Sequence, residues 1–308
     1  MDLQRLSDLA DPRVKEIWDE KNTQLSKELE YHIFGFSEKN AEIQTTKIEN
    51  FTGLGLAQLT GELEPYSRED IQPGYSVSLT PAKYTKASPI SEEMYRYNLW
   101  PKINNIVSAA ANACNGRIDT QAAKQFYLGF GTTFQIGGDG VALFSASHPM
   151  GDGSTQSNTL GTIPLTYDNL KTARQALNRM YDDKGIQMMP ARKLRLIVGI
   201  ENEDNALQVL RSMGNPDSAN RTANVFNMKG GYSIDLKVAS WIPTSYSKYW
   251  FLVDLERAQF MNHIIWGWKP RFDDDKLVNN GSRLYTGSVA FINGFSSFQF
   301  VVGSAATV

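Results

Sequence analysis

His148 is the side chain in this sequence with the strongest claim to catalysis. It closely follows Ser145 and Ser147 and lies near Asp139 in the chain, so the residue types of a serine hydrolase are present. A triad needs spatial rather than sequential proximity, and no G-x-S-x-G motif exposes a nucleophilic serine. A turn histidine that hydrogen-bonds the backbone before Pro149 is therefore favoured. A soluble hydrolase that uses His148 stays open as an alternative.

The sequence predicts no metal site and no cofactor. His32 and His263 are isolated, no H-E-x-x-H motif occurs, and a single cysteine cannot build a cysteine-rich zinc site. The run Asp273–Asp275 lacks the glycine and the terminal glutamate of a calcium loop, which favours a solvated loop. The glycines between residues 129 and 140 match neither a phosphate-binding loop nor a dinucleotide-binding motif, and they predict turns.

Two further groups of residues have both a chemical and a structural interpretation. Cys114 lies on the apolar stripe of a predicted helix, where a thiol behaves as a small hydrophobic group. Four tryptophans could line a ligand pocket, although large aromatic side chains in strands more often fill a core or an interface; they are Trp241, Trp250, Trp266 and Trp268. The sequence therefore predicts a protein that is not an enzyme and has no catalytic residue.

Composition excludes several classes of protein. The chain has 308 residues, 31 basic and 33 acidic side chains and a formal net charge of -2, so no strong general attraction to nucleic acid or to an anionic membrane is expected. One cysteine excludes an internal disulfide framework. No apolar run approaches the roughly 18 to 20 residues of a membrane span, and residues 1–8 lack the pattern of a secretory signal. We expect synthesis in a reducing cytoplasm.

The first part of the chain predicts an arm followed by a long hairpin. Residues 1–50 hold eleven acidic and seven basic side chains with sparse apolar residues, too few for a separate core. Helical spacing begins after Asp11-Pro12, a plausible cap and first turn, so the arm should dock on the rest of the chain or on a neighbour. Residues 51–88 predict a hairpin with a long polar tip, which is solvated or bound to a partner.

A long helix is predicted next. Ser88 as N-cap and Pro89 at the first helical position indicate its start, and apolar residues then recur at threes and fours. Pro101 should kink the helix or mark a restart, and Asn115-Gly116 should end it. A second helical piece is expected from about residue 119 to residue 128.

The remainder predicts a mixed α/β region with strands towards the end. Strands are expected at 141–144, 194–200, 250–254, 264–266 and 289–292, and helices at 170–180 and 205–213. The polar stretch from 214 to 229 should be a surface loop. The fold class is therefore α+β.

Three segments, and the order of the elements around them, resemble the major capsid proteins of tailed bacteriophages, which have the HK97-like fold. The segment DGVALFSASHP at 139–149 is similar to the D-G-x-x-L-F-x-x-x-H-P string found after the long helix in many such proteins. LRLIVGIENEDNA at 194–206 is similar to the family's strand-then-helix passage, and YWFLVD at 249–254 follows it.

The resemblance implies a division of the chain. Residues 1–50 would be an N-terminal arm and 51–88 the extended loop that lies over a neighbouring subunit. Residues 89–159 would form a peripheral domain around a long spine helix, 160–285 an α/β axial domain, and 286–308 a C-terminal return to the peripheral domain.

The resemblance also implies function and partners. The protein would be a major capsid protein that assembles into pentamers and hexamers of an icosahedral shell around phage double-stranded DNA, synthesised in the host bacterial cytoplasm and located in the virion. Partners would be other copies, a separate scaffolding protein, a portal, a decoration protein, and DNA contacted non-specifically at the inner wall. An encapsulin-like nanocompartment shell is an alternative within the same fold.

Contacts between subunits are expected where apolar or adaptable groups lack cover in a single chain. Trp18 in the arm, Tyr66 and Ile71 at the hairpin tip, and the loop from 214 to 229 meet this description. The predicted contact residues are Trp18, Tyr66, Ile71, Lys83, Arg221 and Phe226.

Overall fold

The structure is a computed structural model that describes residues 3–51, 53–71, 73–97, 99–214, 223–227, 233–276 and 282–306. Its α-helices are α1 (Leu3–Glu28), α2 (Glu92–Arg96), α3 (Trp100–Tyr127), α4 (Tyr167–Asn178), α5 (Glu203–Arg211) and α6 (Leu255–Met261). Its strands are β1 (Ser37–Asn40), β2 (Thr46–Phe51), β3 (Pro73–Leu79), β4 (Ala82–Ile90), β5 (His148–Pro149), β6 (Thr155–Gln156), β7 (Leu194–Val198), β8 (Ile234–Val238), β9 (Trp250–Asp254), β10 (Asn262–Lys276), β11 (Arg283–Phe295) and β12 (Val301–Ser304).

The first sheet has the strand order β1-β10-β11-β4 and is dominated by the long antiparallel pair β10 and β11. One face of this sheet packs against α3 and α1 and forms most of the larger hydrophobic core. The middle of the sheet is buried on both faces, since the consecutive residues Ile264 and Ile265 on β10 are both completely buried. The sheet residues in this core include Ile264, Trp266, Tyr285, Val289 and Phe291.

The second sheet has the order β12-β9-β7-β8. Strands β9 and β12 are buried on both faces and β7 nearly so, whereas β8 exposes every second residue. Ile197 and Phe251 point into the larger core, whereas Leu196 and Leu252 join α4 and α5 in a second core. Burial on both faces explains the continuous apolar runs Leu196–Val198 in β7 and Trp250–Val253 in β9. The strands predicted at 194–200 and 250–254 and the two helices predicted in this region are confirmed, with small shifts at their ends.

The long helix α3 departs from its predicted limits at both ends. Ser88 and Pro89 lie in β4, paired with Tyr285 and Leu284, so the predicted helix start is wrong: sheet pairing overrides the local capping signal. The restart expected at Pro101 is confirmed, because α3 begins at Trp100. The predicted stop at Asn115-Gly116 is wrong, since the helix continues to Tyr127.

Gly116 is a packing residue rather than a helix terminus. A Cβ atom at this position would lie 3.1 Å from the ring of Trp241. The glycine therefore lets a distant tryptophan approach the helix backbone, at the modest cost of a glycine inside a helix. The helical piece predicted at 119–128 is the continuation of α3.

The arm docks on its own chain, one of the two predicted outcomes. Helix α1 begins well before Asp11-Pro12, so the predicted cap is wrong and Pro12 lies inside the helix. The buried residues Val14 and Trp18 face α3 and the first sheet. The ring centroids of Trp18 and Phe272 lie 5.2 Å apart. The apolar spacing marked the packed part of the helix, and not its first residue.

The predicted hairpin is present, but its paired strands are shorter than predicted and the first of them begins closer to the N-terminus. Strands β2 and β3 pair, starting at Thr46, while residues 53–71, called the extended loop below, join them without regular structure. Strand β4 leaves the hairpin and pairs with β11. Strand pairing also crosses the predicted domain limits, because β10 belongs to the first sheet and β12 to the second.

Candidate assembly surface

The extended loop exposes a series of large apolar side chains. Leu59 and Leu63 are completely exposed, and Tyr66 is 86% exposed. Leu54, Leu56 and Ile71 are also more than half exposed. Solvent contact with so many large apolar groups on one segment is unfavourable and is typical of an interaction site.

The base of the loop is fixed to the body of the protein. Asn50 Nδ2 donates to the Ser296 carbonyl at 2.8 Å, next to the end of β11. Gly138 approaches the backbone of Ser76 so closely that a Cβ atom there would lie 3.0 Å from it, which a larger residue would prevent. The loop is therefore presented from a fixed base.

One carboxylate connects both sides of the extended loop to the body. Glu69 accepts the Gly55 N–H at 2.7 Å and pairs with Lys184 Nζ at 2.7 Å. The hydrogen bond from Lys184, followed by the one from Gly55, lowers the pKa of Glu69. This contact is exposed to solvent, so its contribution to stability is small, and its effect is to orient the loop.

His148 is completely buried. We call residues 137–161, which surround it in the chain, the His148 segment. Its ring stacks on Phe298 with 3.7 Å between centroids. Nδ1 lies 2.6 Å from Asp139 Oδ2, and Nε2 lies 3.1 Å from Asn158 Oδ1.

The hydrogen bonds of Asn158 fix the direction of the bond to His148. Asn158 Nδ2 donates to the carbonyls of Leu143 and Val301, and its Oδ1 accepts the Ser145 N–H, so His148 Nε2 donates to that same oxygen. Both ring nitrogens are thus engaged, and neither is available to accept a serine proton. The geometry favours a structural role for His148 over a hydrolase, but the predicted hydrogen bond to the backbone is wrong, because both ring nitrogens contact side chains.

Asn158 also explains why residues 141–144 are irregular instead of the predicted strand. Its side chain satisfies the Leu143 carbonyl, and Phe144 N–H donates to the Gly129 carbonyl. The backbone polar groups are therefore paired without a neighbouring strand. Leu143 and Phe144 still enter the larger core, which accounts for their apolar character.

The other candidate groups have surroundings that are typical of structural residues rather than of catalytic ones. Cys114 is buried beside Trp18 in the larger core, and burial raises the pKa of its thiol to about 11. Burial lowers the pKa of His263 to about 4. The loop predicted at Asp273–Asp275 is wrong, because these residues lie in β10 and pair with β11; Asp273 also pairs with Arg271. Within the described ranges, no group of three or more histidine, cysteine, aspartate or glutamate side chains is arranged to hold a metal ion.

The predicted contact residues differ in their exposure. Tyr66, Ile71 and Lys83 are exposed, as a contact requires, whereas Phe226 is half-buried and packs against Tyr167. The expectation that Trp18 lacks cover in a single chain is wrong, because α3 and the first sheet bury it. Arg221 lies outside the described residues.

Sequence reasoning missed the leucines of the extended loop. Leu54, Leu56, Leu59 and Leu63 are interspersed at irregular spacing among small and polar residues in a glycine-punctuated stretch, which resembles an ordinary turn region. The available signal was the combination of four leucines with no helical or strand period.

Across the parts of the chain that the structure describes, no helix is long and apolar enough to cross a membrane.

Comparison with known proteins gives one family and one fold. A family model described as phage capsid protein matches residues 74–294. No curated protein matches the sequence.

Solved structures match over nearly the whole chain. A structure from Mycobacterium phage Bobi is 12% identical, with a TM-score of 0.56 over 90% of both chains. A virus-like particle from Pyrococcus furiosus is 9% identical, with a TM-score of 0.54 over 95% of this chain and 98% of that one. The capsid of a native GTA particle is 14% identical, with a TM-score of 0.50 over 89% of both chains. At these identities the matches show a shared fold.

Proposed function

Because this chain belongs to the phage capsid protein family, we propose that it assembles into the pentamers and hexamers of an icosahedral head that encloses phage double-stranded DNA. The HK97-like α+β fold expected from the sequence is confirmed. The chain is a structural protein of the virion capsid. The proposal concerns how the shell is built and what it contains.

The exposed extended loop is the observation that carries this proposal. Burial of one leucine side chain contributes about 1.5–3 kcal/mol, and Leu54, Leu56, Leu59 and Leu63 are all more than half exposed in the single chain. Association with a neighbouring subunit buries them. Repetition of that contact around a closed ring stabilises the shell through many equivalent interfaces.

We propose the partners that a capsid subunit of this fold needs. Other copies supply the main contacts, and a scaffolding protein, a portal and a decoration protein complete the particle. The net charge of -2 fits a non-specific contact with DNA at the inner wall, since a strongly basic wall would hold the packaged DNA tightly. We place synthesis in the host bacterial cytoplasm.

Sedimentation of the purified protein, followed by negative-stain electron microscopy of the fast fraction, tests assembly. Uniform shells or discrete five- and six-fold capsomers are expected. A monodisperse species of one chain under all salt and pH conditions would contradict the proposal. A variant that lacks residues 56–68 keeps the paired strands β2 and β3, so it should fold and fail to assemble.

An encapsulin-like nanocompartment shell is the second candidate, since a virus-like particle from Pyrococcus furiosus shares the fold as phage capsids do. The two candidates differ in what the shell encloses. Particles isolated from the producing cells and treated with nuclease should contain protected double-stranded DNA if the protein forms a phage head. Particles that contain a protein cargo and no protected DNA would establish the alternative.

A further inference from the structure

A tight turn between α4 and β7 lies against the extended loop of the same subunit. In residues 181–187, called the 181–187 turn below, the carboxylate of Asp182 accepts the N–H groups of Lys184 and Ile186 at 3.0 and 2.9 Å. Gly185 has a φ of +72°, a conformation that favours glycine. The backbone of the turn is therefore fixed by its own hydrogen bonds.

The 181–187 turn is also attached to the His148 segment. Tyr181 N–H donates to Gln156 Oε1 at 3.4 Å. The two backbones approach so closely that a Cβ atom at Gly151 would lie 2.9 Å from the Asp183 carbonyl oxygen. Lys184 therefore projects from a fixed position, and only 27% of its side chain is exposed in the ion pair with the extended loop.

The tip of the extended loop has a defined and strained shape. Among the residues that the structure describes, Leu63 alone of the non-glycine residues has a positive φ, of +69°. Glu64 holds the tip, because its Oε2 accepts the Gly61 N–H at 2.9 Å and its own N–H donates to the Gly61 carbonyl at 3.2 Å. A bulky residue in this conformation is disfavoured and is typical of functional segments.

The apolar side chains of an unrestrained loop would fold back onto their own subunit, because burial of apolar surface is favourable. In the structure Leu59 and Leu63 are fully exposed instead. The carboxylate of Glu69 contacts the Gly55 N–H on one side of the loop and Lys184 on the body, each at 2.7 Å. This contact keeps the loop away from its own subunit and its apolar side chains free for a second one.

Resting on the assembly proposed above, we propose that Glu69 and Lys184 form a latch that fixes the direction of the extended loop in the free subunit and so sets the rate at which subunits assemble. A loop that is already ordered loses less conformational entropy when it binds. When the latch is open, only a fraction of the subunits has the loop in the binding direction, and association slows by that fraction. Each contact in a closed ring repeats this effect.

The direction of the loop is measured in free subunits that are too dilute to assemble. Nitroxide labels on Gln58→Cys in the loop and Gln175→Cys on α4, both exposed positions, report the distance between loop and body, while the buried Cys114 stays unlabelled. Pulsed electron spin resonance should give one narrow distance distribution for the labelled wild type and for Lys184→Arg, and a clearly broader one for Lys184→Gln. An equally narrow distribution in Lys184→Gln would overturn the latch.

Light scattering then measures the rate of shell formation. Lys184→Gln and Glu69→Gln should each slow it by about fivefold or more, since a weak exposed contact is lost at every interface of the ring. The double variant should be no slower than the slower single variant, because both substitutions break one contact. Lys193→Gln, which breaks an exposed pair with Glu256 away from the loop, is the matched control. A wild-type rate for Lys184→Gln, or additive effects in the double variant, would contradict the proposal.

Covalent closure of the latch tests whether the loop must leave it to assemble. A carbodiimide joins the Glu69 carboxyl to the Lys184 amine as an amide, and the reagent takes up the water that is lost and becomes a urea. After partial reaction, mass spectrometry should find the amide at least as often in shells as in the remaining free subunits. Exclusion of closed subunits from shells would overturn the proposal, provided that treated Lys184→Arg, which cannot form this amide, still assembles.

Failure of the latch and failure of the proposed function give different results. A wild-type chain that never assembles would overturn the proposed function, and with it the effect of the latch on the rate. The distance distributions of the free subunits would still decide whether Glu69 and Lys184 orient the loop. Shells that form at equal rates in all the variants would overturn the latch and leave the assembly proposal standing.

Discussion

The extended loop and the His148 segment are both irregular stretches of backbone, and they are held in opposite ways. In the His148 segment, buried side chains satisfy the backbone: Asn158 alone contacts four groups, and His148 bridges it to Asp139. In the extended loop, Leu59 and Leu63 are fully exposed. The His148 segment is completed within the subunit, whereas we propose that a second molecule covers the extended loop.

This difference separates folding from assembly. Substitutions of the buried polar groups that anchor irregular segments should destabilise the isolated subunit. Substitutions in the extended loop should leave the subunit intact and affect only association. The predictions that follow are ordered by their expected effect on the stability of the subunit.

Arg257 should give the largest loss of stability. It is buried, pairs with Asp254 at 3.2 Å, and donates to the carbonyls of Leu177, Gln299 and Met189. The substitution Arg257→Met leaves a buried carboxylate and three carbonyls without their partner, and should lower the free energy of unfolding by about 3–5 kcal/mol. Urea denaturation followed by circular dichroism measures this.

The neighbouring exposed ion pair is the control for that measurement. Lys193 pairs with Glu256 at 3.4 Å, and both side chains are about half exposed or more. Lys193→Met should change the free energy of unfolding by less than about 1 kcal/mol. Equal effects of the two substitutions would show that burial does not decide the contribution of these pairs.

His148→Ala should have the next largest effect. The substitution removes the ring that stacks on Phe298 and leaves Asp139 and Asn158 without a shared partner. A loss of about 2–4 kcal/mol is expected from the cavity and the unpaired polar groups. The exposed His32 provides the control His32→Ala. A full-stability His148→Ala protein in thermal and urea unfolding would refute the structural role.

Asp119 should give a smaller effect that depends on pH. It accepts the Tyr31 N–H at 2.9 Å and so fixes the arm to α3, and burial raises its pKa to about 6. Because this pKa lies above the unfolded value of about 3.9, the native state binds the proton more tightly. The contribution of Asp119 is greatest below pH 4 and is lost as the pH rises through 6.

Asp119→Asn isolates that contribution, since the amide oxygen can still accept the Tyr31 N–H. The variant should be more stable than the wild type by about 2 kcal/mol at pH 8, and the difference should decrease towards pH 4. Urea unfolding of both proteins from pH 4 to pH 8 gives the difference directly. A difference that is independent of pH would exclude Asp119 as its source.

The sequence predicted the elements whose signal is local. Strand β9 is a continuous apolar run because both faces are buried, and that pattern was recognised correctly. The sequence did not predict that α3 continues past Gly116, because the glycine there accommodates the ring of Trp241, which is far away in the chain. The capping residues Ser88 and Pro89 likewise gave a wrong helix start, since pairing with β11 decides their structure.

The same distinction applies to the candidate surface. Tyr66 and Ile71 were predicted to lack cover, and the structure leaves both exposed. Trp18 has the same composition-based signal, but its cover comes from Phe272 and α3, which only the three-dimensional fold brings to it. Exposure is a property of the tertiary structure, so the sequence could indicate candidate residues and could not choose among them.

The smallest effect on the subunit, and the sharpest separation of folding from assembly, is expected for Leu59→Ser combined with Leu63→Ser. Because both side chains are fully exposed, their loss should leave the urea midpoint unchanged. Shell yield, measured by sedimentation, should fall strongly because the interface loses its apolar contacts. Phe260→Ser, which removes an exposed apolar side chain from the body of the protein, is the matched control and should assemble at a higher yield. Normal shells from the double variant would show that the extended loop is not the surface on which association depends, and the contrast with the His148 segment would then be one of exposure alone.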